Sequence, residues 1–509
     1  MHYSEFTNLY DALAKTPSRL EKTAILAEFL KKLKNHPPEY IYLLKGKVFS
    51  DYDPREFGIS DKLVMKAIAK ASGAKEEEIF KHLKKIGDAG EIAELLINKR
   101  KQSTLFSSKL EVKKVFENLK KLMEIEGKGS VEKKLSLISE LLNSASGKEA
   151  KYIVRTLLSD LRIGVAEGVI RDSLAEAFFP NQNMAEKVES AYDLANDYAV
   201  VFGALSKGKK ELEKITIIPG KPLKVMLPIK VTEIKEAFRI CGKPAAIEHK
   251  YDGFRVMINK NEDGHITLFT RRLENVTKQF PDIVEIIKKN VKAKSFILDS
   301  EAVGFNPKTK KYLPFQAISQ RIKRKYDIEK LQKSLPVEIN IFDIIYYNTK
   351  PITHLPFQER RKILEKIIKI EKLKIRPSMQ FVTGNEKKAL IFYKKALKIG
   401  EEGIMIKKLD APYHPGRRVG YMVKMKPEVA DLDLVIVSAE YGSGKRAGWL
   451  TSYIVACKSN DEFLEVGKVS SGLKEKTEEG TTYEEMTKLL RPLIKEEKGK
   501  EVKVKPKLV

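Results

Sequence analysis

"AAIEHKYDGFRVMINK" (residues 245–260) is the stretch on which the fold reading turns. Ile247, Phe254, Val256 and Ile258 place apolar side chains at intervals that include two-residue alternation, the period of a half-buried strand. Among them stand Glu248, His249, Lys250, Asp252, Gly253 and Arg255, a dense set of charges for such a strand and turn. An ammonium is a poor nucleophile, and a lysine becomes reactive where neighbouring cations and desolvation help it shed its proton. Arg255 lies five residues on, and a bound divalent metal would add positive charge. Gly253 permits an approach that a Cβ would obstruct. Taken alone, the segment can hold an activated lysine, but an ordinary surface lysine on a strand is the better fit.

Outward from it, the chain changes texture twice. Residues 1–215 read as helices. "LEVKKVFENLKKLMEI" (110–125) repeats Val112, Val115, Leu119 and Leu122 at helical spacing, and "SVEKKLSLISELLNSAS" (130–146) carries a stripe of Leu135, Ile138, Leu141 and Leu142. "SGKEAKYIVRTLLSDLRIGVAEGVIRDSLAEAFF" (146–179) reads as two helices around a break at Gly164. The proline-bearing "ITIIPGKPLKVMLPIKV" then predicts an extended linker or lead-in. Residues 216–428 alternate short strands (265–272, 295–306, 337–348, 402–410, 421–428) with helices at 358–371 and 386–399, the latter stopping at Gly400. This is a mixed α/β domain with a largely antiparallel sheet. From 429 to 509 the reading is all-β, a small barrel.

A chain of 509 residues accommodates about three domains. With 96 Lys+Arg against 69 Asp+Glu, its formal net charge of +27 favours a polyanionic partner, nucleic acid or an anionic membrane surface. No run of about 18 apolar residues exists and the first twenty residues lack the apolar core of a signal peptide, so nucleic acid in the cytoplasm is the preferred reading and a membrane is not. Cys241 and Cys457 are too few for a disulfide framework or a cysteine zinc site.

Further charged strands extend the pattern. Glu301 in "ILDSEAVGF" and Glu402 in "EEGIMIK" sit beside apolar residues, where an unpaired carboxylate is costly. Such hard oxygens suit Mg²⁺ completed by substrate phosphates, and strand-end ion pairs fit them too. "YMVKMK" puts Lys424 and Lys426 on one face of a strand, with Arg418 six residues before Lys424. Converging cations would hold a phosphate chain and stabilise its charge during transfer. "EYGSGKRAG" (440–448) is refused as a phosphate loop: GxxxxGK[ST] fails, with Ala439 at the first Gly and Arg446 at the Ser/Thr, so it reads as a β-turn.

In order, the chain carries Lys250-Tyr-Asp-Gly-Phe-Arg255, "FILDSEAVGF", "IFDIIYY", "EGIMIK" and "VKMK". The first resembles the KxDGxR motif of covalent nucleotidyltransferases and the others its successors. Together with "LSDLRIGVAEGVIRDSLAEAF" and the helical N-terminal region, they resemble ATP-dependent DNA ligases of the archaeal and eukaryotic replicative type over almost the whole chain. The resemblance implies an all-α DNA-binding domain (1–215), an α/β adenylation domain (216–428) and a β-barrel OB-fold domain (429–509). It further implies a monomer of prokaryotic, archaeal cytoplasm that seals nicked double-stranded DNA in replication, repair and recombination. Lys250 takes AMP from ATP; Glu248 accepts from the adenine amino group and Phe342 stacks on the base. Arg255, Arg271 and Glu301 hold the ribose and phosphate region; Arg418, Lys424 and Lys426 contact the phosphates. Glu301 and Glu402 bind Mg²⁺ or Mn²⁺, with Asp299 a lesser candidate, and Arg162 and Gly164 contact DNA backbone. "LRIGV" also fits a plain helix-packing joint. Gln102, Leu105 and Phe106 resemble a sliding-clamp-binding loop, and a buried loop anchor fits them equally.

Family members continue past the last barrel strand to an RxDK-type motif, which the ending at Val509 lacks; the expectation is a shortened form with an incomplete OB-fold. An RNA ligase or capping-type nucleotidyltransferase shares the lysine motif, and a non-catalytic DNA- or clamp-binding protein is an alternative from another class.

Overall fold

The structure, a computed structural model, describes residues 1–100, 109–324, 326–428, 431–442, 446, 448–460, 462–475 and 477–507. Its contacts gather into two compact units. One comprises Met1–Gly58, Lys109–Lys128 and Ser159–Glu428; the other comprises the described residues of Ile59–Ser108, Gly129–Leu158 and Val429–Val509.

Described residues up to Glu213 contain helices and no named strand. In the helix Val112–Glu124, the apolar stripe of Val112, Val115, Leu119 and Leu122 is buried. Ser130–Ser144 buries Ile138, Leu141 and Leu142 and starts from Gly129 at φ 80° without a side-chain cap. Gly147–Leu157 opens on a capping box of Ser146 and Glu149, and Glu167–Phe178 follows after a non-helical joint. In that joint Ser159, Arg162 and Gly164 all take positive φ (55°, 56° and 64°).

Eleven strands follow: β1 (Ile229–Val231), β2 (Ala245–Lys250), β3 (Phe254–Lys260), β4 (Ile266–Thr270), β5 (Phe296–Gly304), β6 (Val337–Tyr347), β7 (Lys350–Pro351), β8 (Ile375–Pro377), β9 (Gln380–Thr383), β10 (Gly403–Lys408) and β11 (Met422–Met425). They form two sheets where the sequence suggested one. The first runs β1-β11-β10-β2-β9; the second runs β4-β3-β5-β6-β7, with β8 beside β6. Only β1–β11 and β6–β8 are parallel. The reason lies in the opening stretch: β2 pairs with β10 and β9, β3 with β4 and β5, so the chain changes sheets at the turn Tyr251–Gly253.

Period-2 alternation then sorts the side chains. On the first sheet, Ala245, Ile247, Ile404, Ile406, Val423 and Met425 pack with Ala237 and Phe238 of the helix Ile234–Cys241 and Ala389 and Ala396 of the helix Glu386–Lys398. On the second, Val256, Ile258, Leu298, Ala302 and Ile339 pack with Ile283 and Ile287 of Pro281–Asn290 and Leu364 of Phe357–Ile367. The opposite parity turns inward. There Met257, Phe269, Ile297 and Ile345 meet Met422 of the first sheet and Leu223, Val225 and Met226 of the lead-in. The segment read as a linker or lead-in is therefore partly core.

β6 carries two register shifts. Asp299 pairs with Asp343 but Ser300 with Ile341, which leaves Phe342 as an extra residue; Ile297 pairs with Tyr346 but Leu298 with Ile344, which leaves Ile345. A β-bulge of this kind re-aims a side chain.

The last region has β12 (Val435–Tyr441), β13 (Leu450–Ser459), β14 (Glu462–Val469), β15 (Ile494–Lys498) and β16 (Glu501–Val504), ordered β14-β13-β12-β16-β15 and antiparallel throughout. The all-β reading needs correction here: Tyr483–Leu490 is a helix, opened by a capping box of Thr482 and Glu485 and burying Tyr483, Thr487 and Leu490. β12 and β13, which flank the stretch refused as a phosphate loop, pair antiparallel, whereas a phosphate loop leads from strand to helix. Both cysteines are free, and among the described residues no helix is long and apolar enough to cross a membrane.

Candidate active site

Lys250 is the last residue of β2 and pairs in register with Gly403 at the start of β10. Two glycines make this junction possible. A Cβ on Gly253 would lie 2.4 Å from the Ala302 carbonyl oxygen, and one on Gly403, which has φ +147°, would lie 2.1 Å from that of Met425. The Glu402 N–H donates to the Lys250 carbonyl (3.0 Å). Its carboxylate bridges the Lys250 ammonium and that of Lys426, the latter at 2.5 Å. Burial pushes the Glu402 carboxyl up, but hydrogen bonds from both lysines outweigh it and hold it below the usual range. Lys424, opposite Met405, has its ammonium pushed down by burial first and then by the positive charge of Lys426, Lys250, Arg271 and Arg418. Four predicted cations thus act on the fifth, Lys424.

On the second sheet, Arg255 of β3 is committed to its own sheet. Its Nε and Nη2 donate to the two Asp299 oxygens (2.8 and 2.5 Å), and Nη1 donates to the Met226 carbonyl (3.1 Å). Asp299 is fully buried and also accepts from the Tyr413 hydroxyl (2.8 Å), so its carboxylate is taken up by structural partners and makes a poor metal ligand. Glu301, paired in register with Arg255, is pushed up to about 8 by burial against the pull of Lys250 and Arg255. Glu401 is likewise pushed up to about 8, first by burial and then by Asp252.

Glu248 precedes Lys250 by two residues on the same strand face and is 1% exposed. Its Oε2 meets Lys407 Nζ at 2.8 Å, its Oε1 accepts from Gln380 Nε2 at 2.9 Å, and Arg361 Nη1 stands 3.7 Å from Oε1. The bulge turns the Phe342 ring towards these groups: Lys407 Nζ lies 4.7 Å and Arg255 Cζ 5.3 Å from its centroid. Lys407 also donates to the Phe342 carbonyl (3.3 Å).

The structure therefore brings together Lys250, Glu402, Lys424 and Lys426 with Arg271 and Arg418 in electrostatic reach, places Arg255 and Glu301 near them, and joins Glu248 to Phe342 through Lys407. Arg162 and Gly164 belong to a separate element, the joint before Glu167. There Arg162 Nε donates to Asp160 (2.7 Å), and Lys22 Nζ donates to the carbonyls of Ile163 (2.8 Å) and Gly164 (2.9 Å). Gln102, Leu105 and Phe106 lie outside the described residues. Sequence reasoning missed Lys407, Gln380, Glu401 and Tyr413. Lys407 alone left a trace, sharing strand parity with Met405 and Gly403. Among the described residues no group of three or more His, Cys, Asp or Glu is gathered to hold a metal. Glu301 and Glu402 offer two hard oxygens whose charges act on each other and on Lys250, a set that fits a divalent cation completed by phosphate oxygens.

Residues 225–426 match the family model described as ATP dependent DNA ligase domain, and residues 2–175 the one described as DNA ligase N terminus. The DNA ligase of Nanoarchaeum equitans is 47% identical over 514 residues, spanning 100% of this chain and 90% of that protein. The chain belongs to the ATP-dependent DNA ligase family. A second DNA ligase, from Thermococcus onnurineus, is 42% identical over 100% of this chain and 89% of its own length. A solved structure named Pmar-Lig_PreS3 aligns over 92% of this chain and 88% of its own with a TM-score of 0.56; at 19% identity it speaks to fold alone. Membership implies that this ligase uses ATP and a divalent metal and that nicked DNA is its substrate.

Proposed function

We propose that Lys250 is the residue that carries the adenylate. Its Nζ attacks the α-phosphate of ATP, forming a P–N bond as the bond to the departing pyrophosphate breaks. The adenylate then passes to the 5′-phosphate at a nick, and the adjoining 3′-hydroxyl attacks that phosphate, sealing the strand and freeing AMP. The observation that carries this reading is Lys250 on the Glu402 carboxylate, at a strand end where Lys250, Lys426, Arg271 and Arg418 all act on Lys424. Those cations suit a phosphate chain whose charge rises during transfer. Arg255 and Glu301 serve the ribose and phosphate region, and Glu248 and Phe342 serve the base. Mg²⁺, or Mn²⁺ in its place, held by Glu301 and Glu402, would draw negative charge from the phosphates.

The same reading takes 1–215 as the DNA-binding domain, 216–428 as the adenylation domain and 429–509 as the OB-fold domain. The joint at Arg162 and Gly164 meets DNA backbone without reading sequence, as sealing any nick requires. A sliding clamp engaged through Gln102, Leu105 and Phe106, a monomeric state, a cytoplasmic setting without membrane attachment, and service in replication, repair and recombination complete it. RNA ligase, capping and non-catalytic readings are not favoured, because proteins named DNA ligase match along the full chain.

The test is incubation with α-labelled ATP or GTP and Mg²⁺. Acid-labile label from ATP on the parent chain and none on Lys250→Ala is the expected result. GTP label would point to capping chemistry, and label retained by Lys250→Ala would remove Lys250 from its role.

A further inference from the structure

The inward face of the first sheet holds an amide that no motif marks. Gln380 opens β9 at the sheet edge, directly opposite Glu248 of β2, and is half-buried. A carboxylate accepts and does not donate, so the amino end of the Gln380 amide must face Glu248 Oε1, where it sits at 2.9 Å. That fixes the amide's orientation and leaves its carbonyl oxygen uncommitted among the described residues. Lys407, holding the other Glu248 oxygen at 2.8 Å, keeps the carboxylate in place.

Two residues of strand advance about 7 Å, comparable to the reach from a nucleotide's α-phosphate across its sugar to its base. A nucleotide joined to Lys250 therefore carries its base to the level of Glu248, beside the Phe342 ring that Lys407 ties to the same carboxylate. The groups waiting there are unequal in kind: Glu248 accepts, and the free end of Gln380 accepts. Adenine presents a 6-amino group with two N–H donors, whereas guanine presents a 6-oxo acceptor at that position.

From this juxtaposition we infer that Gln380 determines base specificity, its amide oxygen taking the second N–H of the adenine amino group while Glu248 takes the first. This rests on the adenylation reading of Lys250. Guanine would set its O6 against two acceptors, and a purine without the amino group would leave both unanswered.

The experiment compares kcat/KM for label transfer to Lys250 from ATP, from purine riboside triphosphate (which lacks the 6-amino group) and from GTP, in the full chain and in Gln380→Met, a near-isosteric change on an edge strand. A neutral hydrogen bond is worth about three- to tenfold. The variant should lose about that factor with ATP, mainly in KM, and less than about twofold with purine riboside triphosphate. Its preference for ATP over GTP should fall by a similar factor. Equal losses with ATP and purine riboside triphosphate, or none with either, would overturn the inference, since a general disturbance of the sheet strikes all nucleotides alike. Absence of ATP label on the parent would instead sink the adenylation reading. A melting midpoint matching the parent certifies the fold of Gln380→Met; if it does not match, Gln380→Leu in the same comparison decides.

Discussion

Asp299→Asn isolates the interaction that fixes the wall of the site opposite Lys250. The Asp299 side chain is wholly buried and receives two hydrogen bonds from Arg255 and one from Tyr413, while the Arg255 side chain is 14% exposed. Asparagine has nearly the same shape but only one accepting oxygen, and its NH₂ would oppose a guanidinium N–H. The guanidinium would keep its charge in a buried position without the carboxylate that balances it. Removing one partner of a buried pair destabilises by about 3–5 kcal/mol. At 1.36 kcal/mol per decade, that corresponds to about two to four powers of ten in the local opening equilibrium. Native-state hydrogen exchange at the β3 and β5 amides reads this directly and does not require the whole chain to unfold as one unit. Protection there should fall by that amount, while amides of the helix Val112–Glu124 change little. Adding Arg255→Met to Asp299→Asn should restore most of it, because the stranded charge is then gone. A single variant whose β3 and β5 protection stays within about tenfold of the parent would refute the reasoning.

Three further outcomes follow from other contacts. Gly253→Ala should destabilise by about 1–3 kcal/mol, since the new Cβ would lie 2.4 Å from the Ala302 carbonyl and force β3 from β5; an unchanged denaturant midpoint would contradict it. Burial pushes the Asp193 carboxyl up to about 6 from 3.8, despite Lys224 and Arg417 at 3.6 Å. Its contribution is fully present below about pH 4 and fades as pH rises to about 6, so Asp193→Asn should flatten the parent's stability profile across that window by about 3 kcal/mol. Parallel melting-versus-pH curves for the two would count against this. Lys22→Met strips the donor from the Ile163 and Gly164 carbonyls, a loss of about 1–3 kcal/mol for each carbonyl left unpaired. Affinity for a nicked duplex should drop while the slope of log affinity against log salt stays within about one unit, because Lys22 serves the loop and not a phosphate; unchanged affinity would separate the joint from DNA binding.

Much of the site was readable because its charges sit at strand spacing. Glu248 and Lys250 are two apart, as are Lys424 and Lys426, and each pair shares parity; an apolar partner set on the opposite parity marks the other side as core. The helix stripe at Val112, Val115, Leu119 and Leu122 was readable for the same reason at a different period. Sheet membership was not. Residues 245–260 read as half-buried strand and turn, and only the pairing partners, far along the chain, reveal that the two halves serve different sheets. Gln380 carries no charge and sits in an edge strand of four residues, so composition says nothing of it. Lys407 hides beside Lys408 in a chain with 96 basic residues. The helix Tyr483–Leu490 was lost among flanking strands, although Thr482 and Glu485 spelled its cap.

The two bulges in β6 make that strand a composite ruler. Val337, Ile339 and Ile341 face the outer core at odd numbers, Ile344 does so at an even one, and Tyr347 packs there at an odd number again. Deleting Phe342 would therefore take the ring and the bulge together and straighten the pleat, while Asp343 would still oppose Asp299 and Ile344, then two residues from Ile341, would still face the outer core. The aromatic wall thus hangs on one extra residue, whereas the bidentate seat of Arg360 on Asp343 is held by the register that flanks it.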